Sequence, residues 1–453
     1  MTIVQTFASF ADDFQRRSVA ADIIHHAKRA IIDWHAALLP GAVAAPATLL
    51  EKALSGELDR GPSKLALGRR ATPRAAALIN GTAAHTMEVD DIYREAIYHP
   101  GAPTIAAALA AADAEGATGE SFLRAVIVGY EISTRIGAAM GRAHYRFWHS
   151  TGTAGTFGAA AAAAVIYGLD RERFAHALAT AATFAAGLQQ AFRMDSMSKP
   201  LHAGHAAESG LLAALAAREG VTGSLDVIEG DAGFGNAMGD RPDWAKAVST
   251  LGREFHVARI TFKNHACCGH TFAAIDGALE VQRQLNVAAG DIANVRVDTY
   301  GEAIHVAGNA DPLTAAEARF SLPYVVATAL VHGSVRLAAF DAARIADPAT
   351  RDLMQRIEVC LDPAIDADFP NRRAAIVTIK TKDGRREQVI QPTRKGDPEL
   401  PLTDKELKEK YLELVIPVIG GANATVLLEN LWQLDTRAST DMYEDFALER
   451  PSR

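Results

Sequence analysis

From about residue 18 to 260, apolar side chains recur at intervals of three and four, as in Ile23, Ala27, Ala30, Ile31 and Trp34. That spacing lines one stripe of a 3.6-residue helix and predicts a succession of helices. Two runs, 106–112 and 159–165, are so uniformly small and apolar that no polar face remains, so helices there should be buried on all sides. Gly116, Gly168 and Gly220 each follow an apolar-periodic segment, as glycine does past a helix C-terminus. Beyond about residue 260 the texture changes. Residues 292–299 and 357–361 alternate apolar and polar side chains at period two, which predicts strands. Residues 374–381 and 387–391 flank Asp383-Gly384, a dipeptide suited to a tight hairpin turn. Helical spacing around 271–284, 321–332 and 342–357 is interleaved with those strands and predicts a small α+β domain. From Thr403 to Trp432 the helical period returns, and that segment is expected to rejoin the first helical body. Linker composition occurs at 240–243 and 391–401.

Composition narrows the function classes. A chain of 453 residues, 49% hydrophobic and 22% charged, can bury a sizeable core. Its 46 basic and 54 acidic side chains leave a net charge of −8, so no global positive field exists to hold nucleic acid or an anionic membrane surface. Cys267 and Cys268 are adjacent and Cys360 is remote, which is neither a disulfide framework nor the spacing of a zinc or iron–sulfur motif. The N-terminus lacks the basic start and apolar run of a signal peptide. The apolar stretches 159–169 and 211–217 fall short of the roughly 20 residues that cross a bilayer. A soluble, cytoplasmic protein is the expectation.

Polar groups embedded in apolar or glycine-rich sequence are the candidates for chemistry, because burying them is costly unless they are paired or used. Residues 80–91, Asn-Gly-Thr-Ala-Ala-His-Thr-Met-Glu-Val-Asp-Asp, lead to His99-Pro100; they also suit a helix end and a helix start. His149-Ser150-Thr151-Gly152-Thr153 opens a buried alanine helix whose N–H groups can face an anion, or simply forms a helix cap. Lys199 and His202 precede another apolar helix, where a lysine can bind a carboxylate or reach out to water. Residues 262–271, including Lys263, Cys267, Cys268 and His270, lie where the texture changes, and ligand clefts favour such junctions. Tyr324 enters an apolar helix, the setting also of an ordinary core tyrosine.

The order of these segments, with Gly129-Tyr130-Glu131 between them, resembles the MmgE/PrpD family over nearly the whole chain. That family includes 2-methylcitrate dehydratase, cis-aconitate decarboxylase and iminodisuccinate epimerase. The resemblance implies a mainly α fold: a large all-helical domain, residues 1–262 with 400–453, and a smaller α+β lid domain, residues 263–399. It implies a homodimer, an active site between the two domains, and no cofactor or metal. By matching motifs it carries active-site roles onto Asp90, Asp91, His99, His149, Lys199, Lys263 and Tyr324, with His270 close by. The chain departs from the family at Glu88-Val89-Asp90-Asp91, where Asp-Phe-Asp-Asp is common, and at His99-Pro100-Gly101, His149-Ser150-Thr151 and Lys263-Asn264-His265-Ala266.

The family's reactions share one difficulty, which is to form negative charge at a carbon beside a carboxylate. Cations must neutralise that carboxylate first. Lys199 and Lys263 are the candidates, assisted by Arg146 and by donors at Thr151 and Thr153. His99 or His149 would move the proton, and Tyr324 or a lysine would deliver one. The first expectation is therefore a cofactor-independent lyase that dehydrates a di- or tricarboxylic hydroxy acid of the citrate type. An epimerase or a decarboxylase would use the same site. An inert helical binding protein is the reading of another class.

Overall fold

The apolar stripe that starts at Ile23 forms the helix Ala21–Ala42, whose last two turns are buried all round. The computed structural model describes residues 1–192, 196–369 and 372–442. In it the chain forms two units, Met1–Thr261 with Thr403–Arg453, and Phe262–Leu402. The fold is mainly α with a smaller α+β unit.

At the centre of the first unit lies the helix Ser150–Ile166, in which every residue up to Val165 is buried. The helices Gly101–Glu115, Gly119–Tyr145 and Ser198–Arg218 pack around it. Small side chains make this closeness possible: a Cβ on Gly129 would come 2.7 Å from the carbonyl oxygen of Gly158 on the neighbouring helix. Gly116, Gly168 and Gly220 all have positive φ, at 62°, 61° and 96°, and end their helices without the strain a side chain would bring. The unit is not wholly helical. Leu58–Lys64 and Arg70–Ala71 form a short antiparallel ribbon. Its polar, Gly61-Pro62-containing sequence shows no alternation by which it could be foreseen.

The helix Asp404–Trp432 returns to this unit and packs on Ala21–Ala42. It opens with a capping box in which Thr403 and Glu406 satisfy each other's backbone N–H groups, and it kinks at Gly420 (φ 77°). Taken as one helix, it is long and apolar enough by length and composition to cross a membrane. Here Leu407, Tyr411, Leu414 and Val415 are buried instead within the unit.

The second unit holds a four-stranded sheet in the order Ile357–Leu361, Ile292–Thr299, Ala375–Thr381, Arg386–Gln391. The first pair is parallel, with Val295 opposite Ile357; the others are antiparallel, with Val377 facing both Val297 and Val389. Gly384 (φ 92°) makes the hairpin turn. The helix Phe272–Leu285 covers the last two strands. Two expectations need correction. The helical spacing over 342–357 is broken into Ala342–Ile345 and Pro348–Met354, because Asp347 caps a new start by accepting from the Thr350 N–H (3.1 Å) and Pro348 follows it. Residues 240–243 link no units: they lie inside the first, where Asp243 caps the helix Trp244–Ser249.

Candidate active site

The helix Pro73–Thr86 carries His85 in its last turn and ends at Met87. Glu88 then takes a left-handed conformation (φ 58°), a strained choice for a residue with a side chain, and the chain turns through Val89, Asp90 and Asp91. Both aspartates are almost fully buried. Asp91 accepts from the Tyr130 hydroxyl (2.8 Å) and from the Gly101 N–H (3.0 Å), the first N–H of the helix Gly101–Glu115. Burial, then the nearby carboxylates of Asp33 and Asp90, push its carboxyl up to about 8, so it keeps its proton at neutral pH. Lys410 donates to Asp33 (2.5 Å) and to the Val89 carbonyl (2.7 Å) and so pins the same turn from the other side.

Four imidazoles gather beside this turn. Asp90 Oδ2 lies 2.7 Å from His85 Nδ1 and 3.3 Å from His99 Nδ1. The rings of His85 and His99 are 4.7 Å apart, and His85 stacks on His149 at 5.4 Å. His149 Nδ1 in turn lies 3.1 Å from His202 Nδ1. Backbone anchors fix the rings: the His99 N–H donates to Thr151 Oγ1 (3.2 Å) and the His149 N–H to the Gly187 carbonyl (2.8 Å). Burial first, then the neighbouring His85 and Lys199, hold His149 well below its ordinary value, and burial with the same neighbours brings His202 to about 4. Both are neutral at pH 7. Lys199, the second residue of the helix Ser198–Arg218, is ion-paired with Glu88.

Three helices thus begin here, and each brings one residue to its start: His99 two before Gly101, His149 at the N-cap of Ser150–Ile166, and Lys199. Their N-terminal ends carry partial positive charge, which together with the Lys199 ammonium suits a multiply charged anion. The neutral imidazoles can pass a proton. His85, Asp90 and His99 also offer three donor atoms within 4.8 Å of one another, the one grouping of metal-ligand type among the described residues. A carboxylate oxygen facing two ring nitrogens at these distances accounts for the same closeness.

Residues 5–247 match the MmgE/PrpD N-terminal domain and residues 265–434 the MmgE/PrpD C-terminal domain. The chain belongs to the MmgE/PrpD family. Among its relatives is a cis-aconitate decarboxylase-like protein, oryM, of Aspergillus oryzae, 28% identical over 98% of this chain and 97% of that protein. The cis-aconitate decarboxylase of Homo sapiens is 27% identical over 76% of this chain and 72% of its own length. That of Mus musculus is 25% identical over 90% and 86%.

Of the site residues expected from the family's motifs, the structure brings Asp90, His99, His149 and Lys199 into this one buried group, with Asp91 and Thr151 as its braces. Thr153 is braced elsewhere: its hydroxyl lies 2.7 Å from Nε2 of buried His144, whose Nδ1 faces the Met238 carbonyl at 2.9 Å. Arg146 does not join the buried group; it is exposed, with its guanidinium over the Phe147 ring. In the second unit, Lys263 is buried at the head of a loop tied down on all sides. His265 meets Asp276 (2.8 Å), Asp276 accepts from the Lys395 N–H (2.7 Å), and the buried Arg394–Asp397 pair holds the Gly269 carbonyl. His270 Nδ1 lies 2.8 Å from the Tyr300 hydroxyl. Tyr324 is wholly buried in that unit and donates to the Ala339 carbonyl. Sequence reasoning assigned no role to His85, His202, Glu88 or Tyr130. One signal was available: Lys199 and His202 stand at i and i+3 and so share a helix face.

Proposed function

We propose that this protein is a lyase that acts on a tricarboxylate of the cis-aconitate type, forming and protonating a carbanion beside a carboxylate with carbon dioxide as the group lost. The activity named for its human and mouse relatives supports the reaction, and the observation that carries it is the buried imidazole cluster next to Lys199. In the reaction a C–C bond breaks, its electron pair moves onto the neighbouring carbon and into the adjoining π system, carbon dioxide leaves, and one proton returns to carbon. Lys199 would hold a carboxylate that is kept, and the burial around His149 would disfavour the full charge of the one that leaves. An anionic ligand beside His149 raises the ring's affinity for a proton, which favours passage of a proton through it once the ligand is bound.

Dehydration of a citrate-type hydroxy acid is the second reading. It needs a base for carbon and an acid for the departing hydroxyl, and two sets of imidazoles, one on Asp90 and one formed by His149 with His202, could divide those roles. Returning the proton to the opposite face would give an epimerase. We further propose, from the family resemblance, a cytoplasmic homodimer that needs no cofactor or metal; light scattering reads the assembly.

The test is to treat the protein with chelator, then incubate it with cis-aconitate, citrate, methylcitrate and amino-dicarboxylates in deuterated water, following products by proton NMR and trapping carbon dioxide. We expect carbon dioxide in step with consumption of cis-aconitate. Water loss from a hydroxy acid would establish the second reading, and exchange at the α-carbon alone the epimerase. No turnover of any compound overturns the proposal.

A further inference from the structure

We propose that His202 is a relay residue that carries protons between bulk water and the buried ring of His149. The inference rests on the lyase reading above and adds the route by which its proton arrives. A buried imidazole that gives a proton to carbon must be recharged every turnover, and His149 is only 1% exposed. Its Nδ1 meets His202 Nδ1 at 3.1 Å, and His202 is half-buried, one turn into the helix Ser198–Arg218. Two Nδ1 atoms at this distance share one hydrogen, so one ring donates and the other accepts. The groups facing the pair among the described residues include His85 at the end of Pro73–Thr86, His99, Lys199, and, for His202, also His205; behind them Asp90 meets His85 and Glu88 pairs with Lys199. The nearest of these are basic, so they oppose charging both rings at once and favour a single hydrogen between them.

The ring of His202 is also seated. A Cβ on Gly187 would come 3.2 Å from its Cγ and Nδ1 and one on Gly152 3.2 Å from the His202 Cβ, and the Gly187 carbonyl accepts from the His149 N–H, so the same backbone fixes both partners. The transfer is balanced. Water gives a proton to His202 Nε2, the Nδ1 hydrogen of His202 passes to His149 Nδ1, and His149 gives its Nε2 hydrogen to the carbanion; each ring ends neutral with its tautomer exchanged, and the pair resets after product leaves, when water protonates His149 Nε2 as the Nδ1 hydrogen returns to His202 and the His202 Nε2 hydrogen goes to bulk water.

Two measurements test this. The first needs no substrate: with ¹⁵N-histidine, the wild type should show a downfield hydrogen correlated with two Nδ1 nitrogens, which His202→Gln abolishes. Its absence in the wild type overturns the relay while leaving the lyase reading untouched. The second is kinetic. His202→Gln should lower kcat by about 10- to 100-fold with KM nearly unchanged, and added imidazole should restore part of the rate in a saturable way. A wild-type kcat, or a loss that imidazole does not rescue in a folded variant, sinks the proposal. Should the variant not fold, rates of the wild type in mixtures of light and heavy water decide: a bowed dependence fits two hydrogens in flight, and a straight one overturns it. If no carboxylate is turned over by the wild type, the lyase reading fails and the spectroscopic arm alone judges the histidine pair.

Discussion

A carboxyl that accepts from a phenol and a helix N–H while buried near two other acids keeps its proton far above the pH at which a free aspartate loses it, and Asp91 is placed this way. The consequence for stability has a definite sign. Below about pH 4 both the folded and the unfolded chain hold the proton. As pH rises from there to about 8, the unfolded chain releases it first while the folded chain retains it, so stability falls across that window. Asp91→Asn keeps an acceptor for the Gly101 N–H and offers an amide to Tyr130, but has no proton to lose. Urea midpoints measured from about pH 5 to 8 should therefore decline less in the variant than in the wild type; equal slopes would refute the assignment. Lys199 argues in the opposite direction. It is partly exposed, so Lys199→Ala should leave the melting temperature within a few degrees while lowering kcat/KM by about 100-fold or more. An inert binding protein would show neither a rate nor its loss. The candidate residues were legible in the order of their motifs and not one at a time, because His99, His149 and Lys199 each also suit an ordinary helix start or a lysine reaching water, and the family resemblance singled them out. His85 and Glu88 were not, because a histidine late in a helix and a glutamate after it look like an ordinary helix end. Only the left-handed turn at Glu88, which sequence spacing does not encode, brings them to Asp90 and Lys199.

How the elements cross decides whether those residues meet. The helices Pro73–Thr86 and Ser198–Arg218 touch through glycine: a Cβ on Gly204 would come 2.2 Å from Thr82 Oγ1 and 2.3 Å from the Leu78 carbonyl, and backbone within a helix cannot yield. Gly204→Ala must push the helices apart and with them Lys199 from Glu88 and His202 from its seat. Overpacking of this kind costs about 1–3 kcal/mol, and a shift of about 1 Å at the reacting groups costs about 100-fold in rate. Gly116→Ala is the contrast. Gly116 has positive φ but open space around it, so the cost is about 1–2 kcal/mol of backbone strain with kcat unchanged. Equal effects of the two substitutions on kcat would show that the helix crossing does not set the site. Periodicity foretold these helices and the strand Ile292–Thr299, since each buries one face or all faces, and it also foretold Ile357–Leu361, which is only half-buried. It failed where local capping overrides periodicity, as at Asp347-Pro348, and in the ribbon Leu58–Lys64, whose side chains are too polar to mark an inner face.

At the scale of the whole molecule, the chain leaves its first unit after Thr261 and returns to it at Thr403, so a long insertion separates two parts of one core. The returning helix is joined to that core by Lys410, itself 1% exposed, which donates to Asp33 and to the Val89 carbonyl. A buried ion pair adds little net stability over an apolar pair, but removing one partner leaves a charge with no compensation. Lys410→Met does this to Asp33, beside an Asp91 already short of solvent, and should destabilise the protein by about 3–5 kcal/mol. Adding Asp33→Asn removes the stranded charge, so the double variant should recover most of the loss. The coupling between the two substitutions, read from urea unfolding of all four proteins, should exceed about 1 kcal/mol. Simple additivity would mean that the pair does not hold the unit together. Activity reports the same connection from the far side. Val89 stands between Glu88 and Asp90, so loss of the ammonium on its carbonyl should lower kcat even in the double variant, where stability has returned. Full activity there would confine Lys410 to the core and detach it from the histidine cluster.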